Sequence, residues 1–517
     1  MANHKYTSLK VLLQGSSTEG QLAPVPEEST TGFTDALPPP DSYRDSIRSV
    51  SIIYPEWRIR STLSSQSGQS GSSYNYDSSS SGASRSNNSG YSSNSASVGS
   101  ADLGTSELTK IARRMISDGY TQRMVQTFHT VSLTETTGPY PALKNWFIEL
   151  DVDWVLQPLQ FQLQHGSRYW LQEMVKRWIR ALTIIVSSID QELIATRSCA
   201  PAAARFATAS VSAMLVFVDA IVQFHREENL QARLQMYMCV CSASVMFMMH
   251  ATCSGIFDQI CGTLESQGNR LIGSICDTMV RLRQTLMKDI NSWATEIPQG
   301  RGEVHKNTRM VVDYITLMKK AHALAQKNYT QSRNTKKLRQ LIDYTIYYLN
   351  NLLLRKSELC PDPSLRYLFL LNNSYFIAQT VPETLVSLNH ELLGGHQRGL
   401  KLNPECEEYM DSYFDVSWGQ ALSFIPKSNF HGPLRRWIHT TSLAKFQPAF
   451  DNTYQAQKFW KVPDPSLRSF LRETITNRVI SAYNGYLKEH PELEKHISGG
   501  SRSPKVMEEM LGELFEG

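Results

Sequence analysis

The chain has 517 residues, 41% of them hydrophobic and 19% charged, which is enough apolar material for a large core with a polar remainder. A formal net charge of +4 excludes a histone-like or a strongly acidic protein.

Residues 1–105 read as a disordered Ser/Gly/Pro-rich tail. Pro38–Pro40 and the Ser/Gly/Asn tract from about Ser61 to Ser100 supply too little apolar surface to offset the entropy of ordering the chain. One island interrupts it, from Ile47 through Tyr54 and Trp57 to Ile59. It reads equally as a short docking motif for a partner (residues 47–59) and as a chance apolar cluster. The start of the chain shows no signal-peptide core, Ala2 excludes myristoylation, and the last four residues are not a prenylation box. The eight cysteines, at 199, 239, 241, 253, 261, 276, 360 and 406, follow no disulfide framework, so a reducing cytoplasmic setting is expected.

Order is expected to begin near Ser106. Leu108, Ile111, Ala112, Met115 and Ile116 have helical spacing, and helix then follows helix with no convincing strand. Apolar stripes run through Trp170–Leu182, Leu215–Val222, Leu271–Leu286, Val311–Met318 and Leu338–Leu349. Breakers are read at Pro201, Gly262, Pro298 with Gly300 and Gly302, Pro361 with Pro363, Gly394 with Gly395, and Gly432 with Pro433. Residues 234–257 carry no formal charge and are long enough to span a bilayer. Gln235, His250, the Ser/Thr breaks and the Met/Cys-rich composition favour a fully buried helix instead.

The hexapeptide Pro-Asp-Pro-Ser-Leu-Arg occurs at 361–366 and 463–468, with no wider period, and reads as one helix-start device used twice. Asp464 is a good N-cap and Pro465 suits the first helical position. Leu467, Phe470, Leu471, Ile475, Val479, Ala482 and Tyr486 then form one helical stripe, ended by Pro491 and the Ser498–Ser501 run. A short last helix from about Lys505 is expected to pack Met507, Met510, Leu511, Leu514 and Phe515.

Catalytic and metal-binding patterns fail on spacing. His390 and His396 are six apart with Gly394-Gly395 between them, whereas a zinc-protease helix needs histidines four apart. Cys239 and Cys241 point to different sides of a helix and read as buried inert thiols. Glu405, Glu407, Glu408, Asp411 and Asp415 read as a solvated acidic face. No P-loop, dinucleotide fingerprint or nucleophile elbow is present, so no enzyme, cofactor or metal is expected. Between Lys427 and Lys505 there are thirteen Lys/Arg against six Asp/Glu, a difference of +7. Such a surface can hold anionic lipid, can bind nucleic acid, or can simply be solvated; no nucleic-acid motif accompanies it.

The C-terminal motifs resemble a family. The tryptophan Trp460, the run Val462-Pro463-Asp464-Pro465-Ser466-Leu467-Arg468, the pair Ala482-Tyr483 and the end Leu514-Phe515-Glu516-Gly517 are similar to the plant form of the exocyst seventy-kilodalton subunit family. So are Ile111–Tyr120, Trp178–Ala181, Val304–Tyr314, Leu365–Asn373 and Ser417-Trp418-Gly419, in the family's order. The resemblance implies an all-α, elongated rod of stacked helical bundles over 106–517. It implies a subunit of the complex that tethers secretory vesicles, working with other exocyst subunits, cytoplasmic and peripheral at the plasma membrane. It also implies phosphoinositide binding at the C-terminal end, here through Arg468, Arg472, Lys495, Arg502 and Lys505.

Two departures mark a diverged branch. The long helical N-terminal segment that pairs members with other subunits is replaced by the 1–105 tail. The two lysines that many members place before the final helix fall in Ser498-Gly499-Gly500-Ser501-Arg502 and are absent, so weakened lipid binding is expected. The alternative is a helical scaffold, an immune or signalling adaptor working outside the exocyst.

Overall fold

Both copies of Pro-Asp-Pro-Ser-Leu-Arg begin a helix by the same means. Asp362 Oδ1 accepts the N–H groups of Ser364 (2.8 Å) and Leu365 (3.2 Å), and Asp464 Oδ1 accepts that of Leu467 (2.8 Å). In each case the following proline opens the helix, where its missing donor costs nothing. Asn403 and Ser503 cap the helices before Pro404 and Pro504 in the same way.

A computed structural model describes residues 43–52, 105–133, 140–157, 167–196, 201–224, 229–248, 255–327, 332–381, 402–425, 435–491, 493 and 503–516. All lie in one unit, Tyr43–Gly517. The helices are α1 (Tyr43–Ser49), α2 (Thr105–Ser117), α3 (Tyr120–Leu133), α4 (Tyr140–Glu149), α5 (Arg168–Thr196), α6 (Pro201–Gln223), α7 (Leu230–Met248), α8 (Gly255–Lys288) and α9 (Asn291–Gly300). They continue as α10 (Lys306–Gln326), α11 (Ser332–Ser357), α12 (Pro363–Thr380), α13 (Pro404–Val416), α14 (Trp418–Leu422), α15 (Arg435–Gln457), α16 (Pro465–Glu489) and α17 (Pro504–Gly512). Among the described residues the one strand-like feature is an isolated antiparallel bridge between Lys461 and Glu516.

Packing follows chain order. The first bundle joins α2 to α5, α3 to α4 and α6, and α5 to α6. The second joins α7 to α8 and α10, and α10 to α11. The third joins α12 to α13, α14 to α15 and α16, and α16 to α17. Contacts of α5 with α7 and of α11 with α12 link them, and the buried apolar residues form one continuous core. The all-α fold expected from the periodicity is the one observed among the described residues.

Three local expectations need correction. Gly262 does not break a helix; it lies inside α8, a 34-residue helix. Its neighbours Ile260, Leu264, Leu271, Ile275 and Met279 are all buried, and that packed stripe outweighs the roughly 1 kcal/mol helix cost of a glycine. In α16, Tyr483 takes the buried position and Ala482 faces solvent, because the stripe continues from Val479 at a spacing of four. Residues 43–52, placed in the tail by composition, are ordered: α1 buries Tyr43 and Ile47, and Ile52 follows it into the core. Residues 1–42 and 53–104, with 53–59 of the island among them, lie outside the described residues.

In the uncharged run 234–257, α7 is described to Met248 and α8 from Gly255, with 249–254 outside the described residues, and α7 is buried on nearly every side. Arg233, fully buried at its start, donates to Thr278 and to the carbonyls of Ile221 (3.3 Å) and Phe224 at the end of α6. Burial lowers its pKa to about 10. Among the described residues one helix, α6, is long and apolar enough to cross a membrane, and half of its most apolar window is buried in the core. Cys239 and Cys241 are buried in α7, and loss of hydration pushes both thiols up to about 12.

A Cβ on Gly262 meets nothing within 4 Å. Gly262→Ala is therefore expected to stabilise the chain by about 0.5–1 kcal/mol through helix propensity; an unchanged or lowered urea midpoint would show that this turn of α8 is not helical. Alkylation under native conditions, mapped by mass spectrometry, should leave Cys239, Cys241 and the buried Cys406 unlabelled and should label all three in denaturant.

Candidate functional site

The motifs singled out in the sequence meet at two neighbouring places. At the first, adjacent asparagines of α12 reach two other stretches of chain. Asn372 Nδ2 donates to the carbonyls of Gly302 (2.7 Å) and Lys461 (2.9 Å). Asn373 Oδ1 accepts from His305 N–H (3.1 Å) and Thr308 Oγ1 (2.7 Å), while its Nδ2 donates to Phe369 O (2.8 Å). Gly302, at φ +89°, is the tight point of the turn between α9 and α10; its Cα sits against Leu368, and a Cβ there would approach Leu368 Cδ2 to 3.1 Å.

His305 caps α10 from the same turn. Its Nδ1 accepts Asn307 N–H at 3.2 Å, which assigns the ring proton to Nε2, 3.0 Å from Glu296 Oε2. The ring stacks on Trp293 at 3.7 Å. Burial lowers the His305 pKa to about 4, although Glu296 pulls the other way, so the imidazole is neutral at pH 7. A cavity of about 240 Å³ lies beside it, lined by Glu296, Glu303, His305, Lys306, Arg309 and Phe369. The His–Glu pair is committed to capping and stacking, and Glu296 is also held by Lys306 and Ser292. That arrangement suits a structural joint rather than proton transfer.

The second place is the C-terminal end. Leu514 and Phe515 are fully buried, Phe515 with φ +64°. Glu516 N–H donates to Lys458 O (3.2 Å), Arg472 Nε to Leu514 O (2.6 Å), and Arg472 Nη2 lies 3.5 Å from Glu516. Glu513 accepts from Tyr454 Oη (2.9 Å) and faces Lys458 (3.7 Å). The Leu-Phe-Glu end is thus a staple closing α17 onto α15 and α16.

This pairing redistributes the basic residues counted in the sequence. Lys461 lies 3.2 Å from Glu303, and Arg478 lies 2.8 Å from Asp411 of the acidic α13 face. Of the five residues expected to hold lipid, Arg472 is half-buried and joined to the C-terminal staple. Arg468 sits one turn before it on α16, half-buried. Lys505 is exposed in the first turn of α17. Lys495 and Arg502 lie outside the described residues, as do His390 and His396. Among the described residues no three His, Cys, Asp or Glu groups gather as a metal site would require.

Sequence reasoning missed the Asn372–Asn373 joint, although both residues lay in a noted run; adjacent buried amides inside an apolar helix were the available signal. It also missed Asp151, whose partners are distant in sequence.

Removing the amide of Asn373 strands the His305 N–H and the Thr308 hydroxyl in the core, so Asn373→Ala should cost about 1–3 kcal/mol in a urea titration. For His305 the sign is set by a folded pKa below the ordinary value. Its contribution is present above about pH 6.5 and is lost as pH falls toward 4, about 3 kcal/mol in full. His305→Asn keeps a capping side chain and removes the titration; the fall in urea midpoint between pH 7 and pH 4.5 should be smaller in the variant than in the parent.

Known proteins resemble this chain. The family profile for the C-terminal part of the Exo70 exocyst complex subunit matches residues 173–515. Exocyst complex component EXO70A1 of Arabidopsis thaliana is 24% identical over 446 residues, 79% of this chain and 66% of its own length. EXO70B2 of the same plant is 24% identical over 413 residues, 75% of this chain and 64% of its own. EXO70C1 is 28% identical over 171 residues, 31% of this chain and 25% of its own. The chain therefore spans about two thirds or less of the length of these relatives. The matched region runs from the first turns of α5 to the C-terminal staple, and the chain belongs to the Exo70 exocyst subunit family.

Proposed function

We propose that the chain is an exocyst subunit acting in exocytosis, binding other subunits of the tethering complex and an anionic, phosphoinositide-bearing plasma membrane from the cytoplasmic side. The observation that carries this reading is the family profile running over residues 173–515, through the Asn372–Asn373 joint and the staple. The relatives are themselves named exocyst complex components. For the membrane contact, Lys445, Lys488 and Lys505 are exposed and Arg468 half-exposed toward the C-terminal end. Each cation near an anionic surface adds about 1 kcal/mol. With Arg472, Arg478, Lys458 and Lys461 joined to internal partners, this supports weaker lipid binding than a bare charge count suggests.

A second reading, a helical scaffold or adaptor outside the exocyst, is favoured by one observation. Where the family resemblance puts a subunit-pairing helix, residues 43–52 fold back onto the chain's own first bundle.

Affinity purification of the tagged chain from plant cells separates the two. Recovery of the other tethering subunits in comparable amounts supports the first reading; their absence, with a different set recovered, supports the second. For the membrane, sedimentation with vesicles containing phosphatidylinositol bisphosphate should show weak binding, falling about fivefold for each of Arg468→Ala and Lys505→Ala. Strong bisphosphate-selective binding unchanged in Arg502→Ala/Lys505→Ala would overturn the expectation of weakened lipid binding. Arg472→Ala is not a clean probe, because it also opens the staple.

A further inference from the structure

Asp151 is 2% exposed and has φ +62°, a left-handed conformation unusual for a residue with a side chain. Its carboxylate faces three arginines, two of them from α1. Arg44 Nε donates to Oδ1 (2.9 Å), and Arg48 donates through Nε to Oδ2 (3.0 Å) and through Nη2 to Oδ1 (2.7 Å). Arg177 of α5 stands 3.5 Å from Oδ2. Burial opposes the charge on Asp151, and the hydrogen bonds of Arg48 and Arg44 outweigh it, so the carboxyl stays ionised below the ordinary range.

The rest of α1 is held as closely. Tyr43 Oη donates to Asp118 (2.6 Å), Tyr43 N–H donates to Glu149 (2.9 Å), and its ring lies 5.4 Å from that of Tyr120. Ile47, one turn on, is 1% exposed. Arg180 Nε donates to Val50 O (2.9 Å), and Ile52 is buried beyond it. A seven-residue helix has no stability of its own in water, so α1 owes its form to what it lies on. This is the pattern of an amphipathic helix lodged in a groove, with apolar anchors one turn apart and a charged pair fixing its register. When α1 is absent, Arg177 is the one cation among the described residues still facing Asp151, so the groove presents a buried anion that favours a basic partner.

We propose that the face made by α2, α4 and the Asp151 turn is a recognition site for a basic amphipathic helix of a partner protein, of the form Tyr-Arg-x-x-Ile-Arg, and that residues 43–52 occupy it in cis as a tethered competitor. Covalent attachment through residues 53–104 raises the local concentration of the cis segment, so a partner helix enters when α1 is weakened or outcompeted. The assignment does not rest on exocyst membership.

The test uses the full chain and a fluorescent synthetic peptide with the sequence of residues 41–54. Wild type should bind it weakly, because the site is filled. Arg44→Ala/Arg48→Ala, which cuts α1's hold on Asp151, should bind it at least tenfold more tightly, with faster amide exchange over residues 43–52. Asp151→Asn added to that pair should abolish the gain. A peptide with both arginines changed to glutamate should not bind the double variant, which keeps the question decidable if the Asp151 variant fails to fold. Equal binding by wild type and the double variant, or binding of the glutamate peptide, would overturn the proposal and leave α1 as a permanent part of the bundle. A wild-type dimer that disappears in the double variant would overturn the partner assignment and make a second copy the occupant.

Discussion

Two adjacent asparagines carry the joint between the second and third bundles. Asn372 and Asn373 sit on α12 among buried leucines and phenylalanines, where an unpaired amide costs as much as a lost core contact. The donors of both residues and the Asn373 oxygen are spent on main chain or on Thr308, so α12 is locked at once to the 302–308 turn and to Lys461. That double hold brings together runs far apart in sequence, around 305, 372 and 460. The Asp464 cap, the Gly302 turn and the Leu514–Glu516 staple each orient a segment that the amides then fix. Directional bonds in a dry site leave one arrangement, where apolar packing alone tolerates several.

The parts legible in the sequence were those set by local rules. Two Asp-Pro caps and the apolar stripes of α5, α8, α10 and α11 depend on residues within a few turns of one another. What stayed hidden depends on distance. Composition placed residues 43–52 in a tail, and their order comes from Asp118, Glu149 and Asp151, about a hundred residues away. Gly262 looked like a breaker because propensity is read one residue at a time, whereas a buried stripe acts over the whole of α8.

The C-terminal charge illustrates the same limit in electrostatic form. A surplus of +7 between 427 and 505 suggests a surface waiting for an anion. Folding brings Glu303, Asp411, Glu513 and Glu516 from outside that window against four of its cations. None of these exposed pairs contributes much to stability, since such bridges are worth about 0–1 kcal/mol each. Their effect is on function: a cation already facing a carboxylate offers less to a lipid headgroup than one facing water. Arg472 goes further, because its Nε is used by a main-chain carbonyl and the residue belongs to the architecture.

The first and last described segments are held by different chemistry. At the C-terminus the last residues enter the core outright, with Leu514 and Phe515 buried and main-chain bonds on both sides, so release would cost the fold. At α1 the hold is three apolar side chains and a charge cluster whose arginines remain about a third to a half exposed. The acceptor of that cluster, Asp151, is buried and stays charged only because cations meet it. An arrangement with a fixed buried anion and accessible cations is asymmetric: the groove needs a basic helix, but it does not need this one. The same asymmetry distinguishes a binding site from a core.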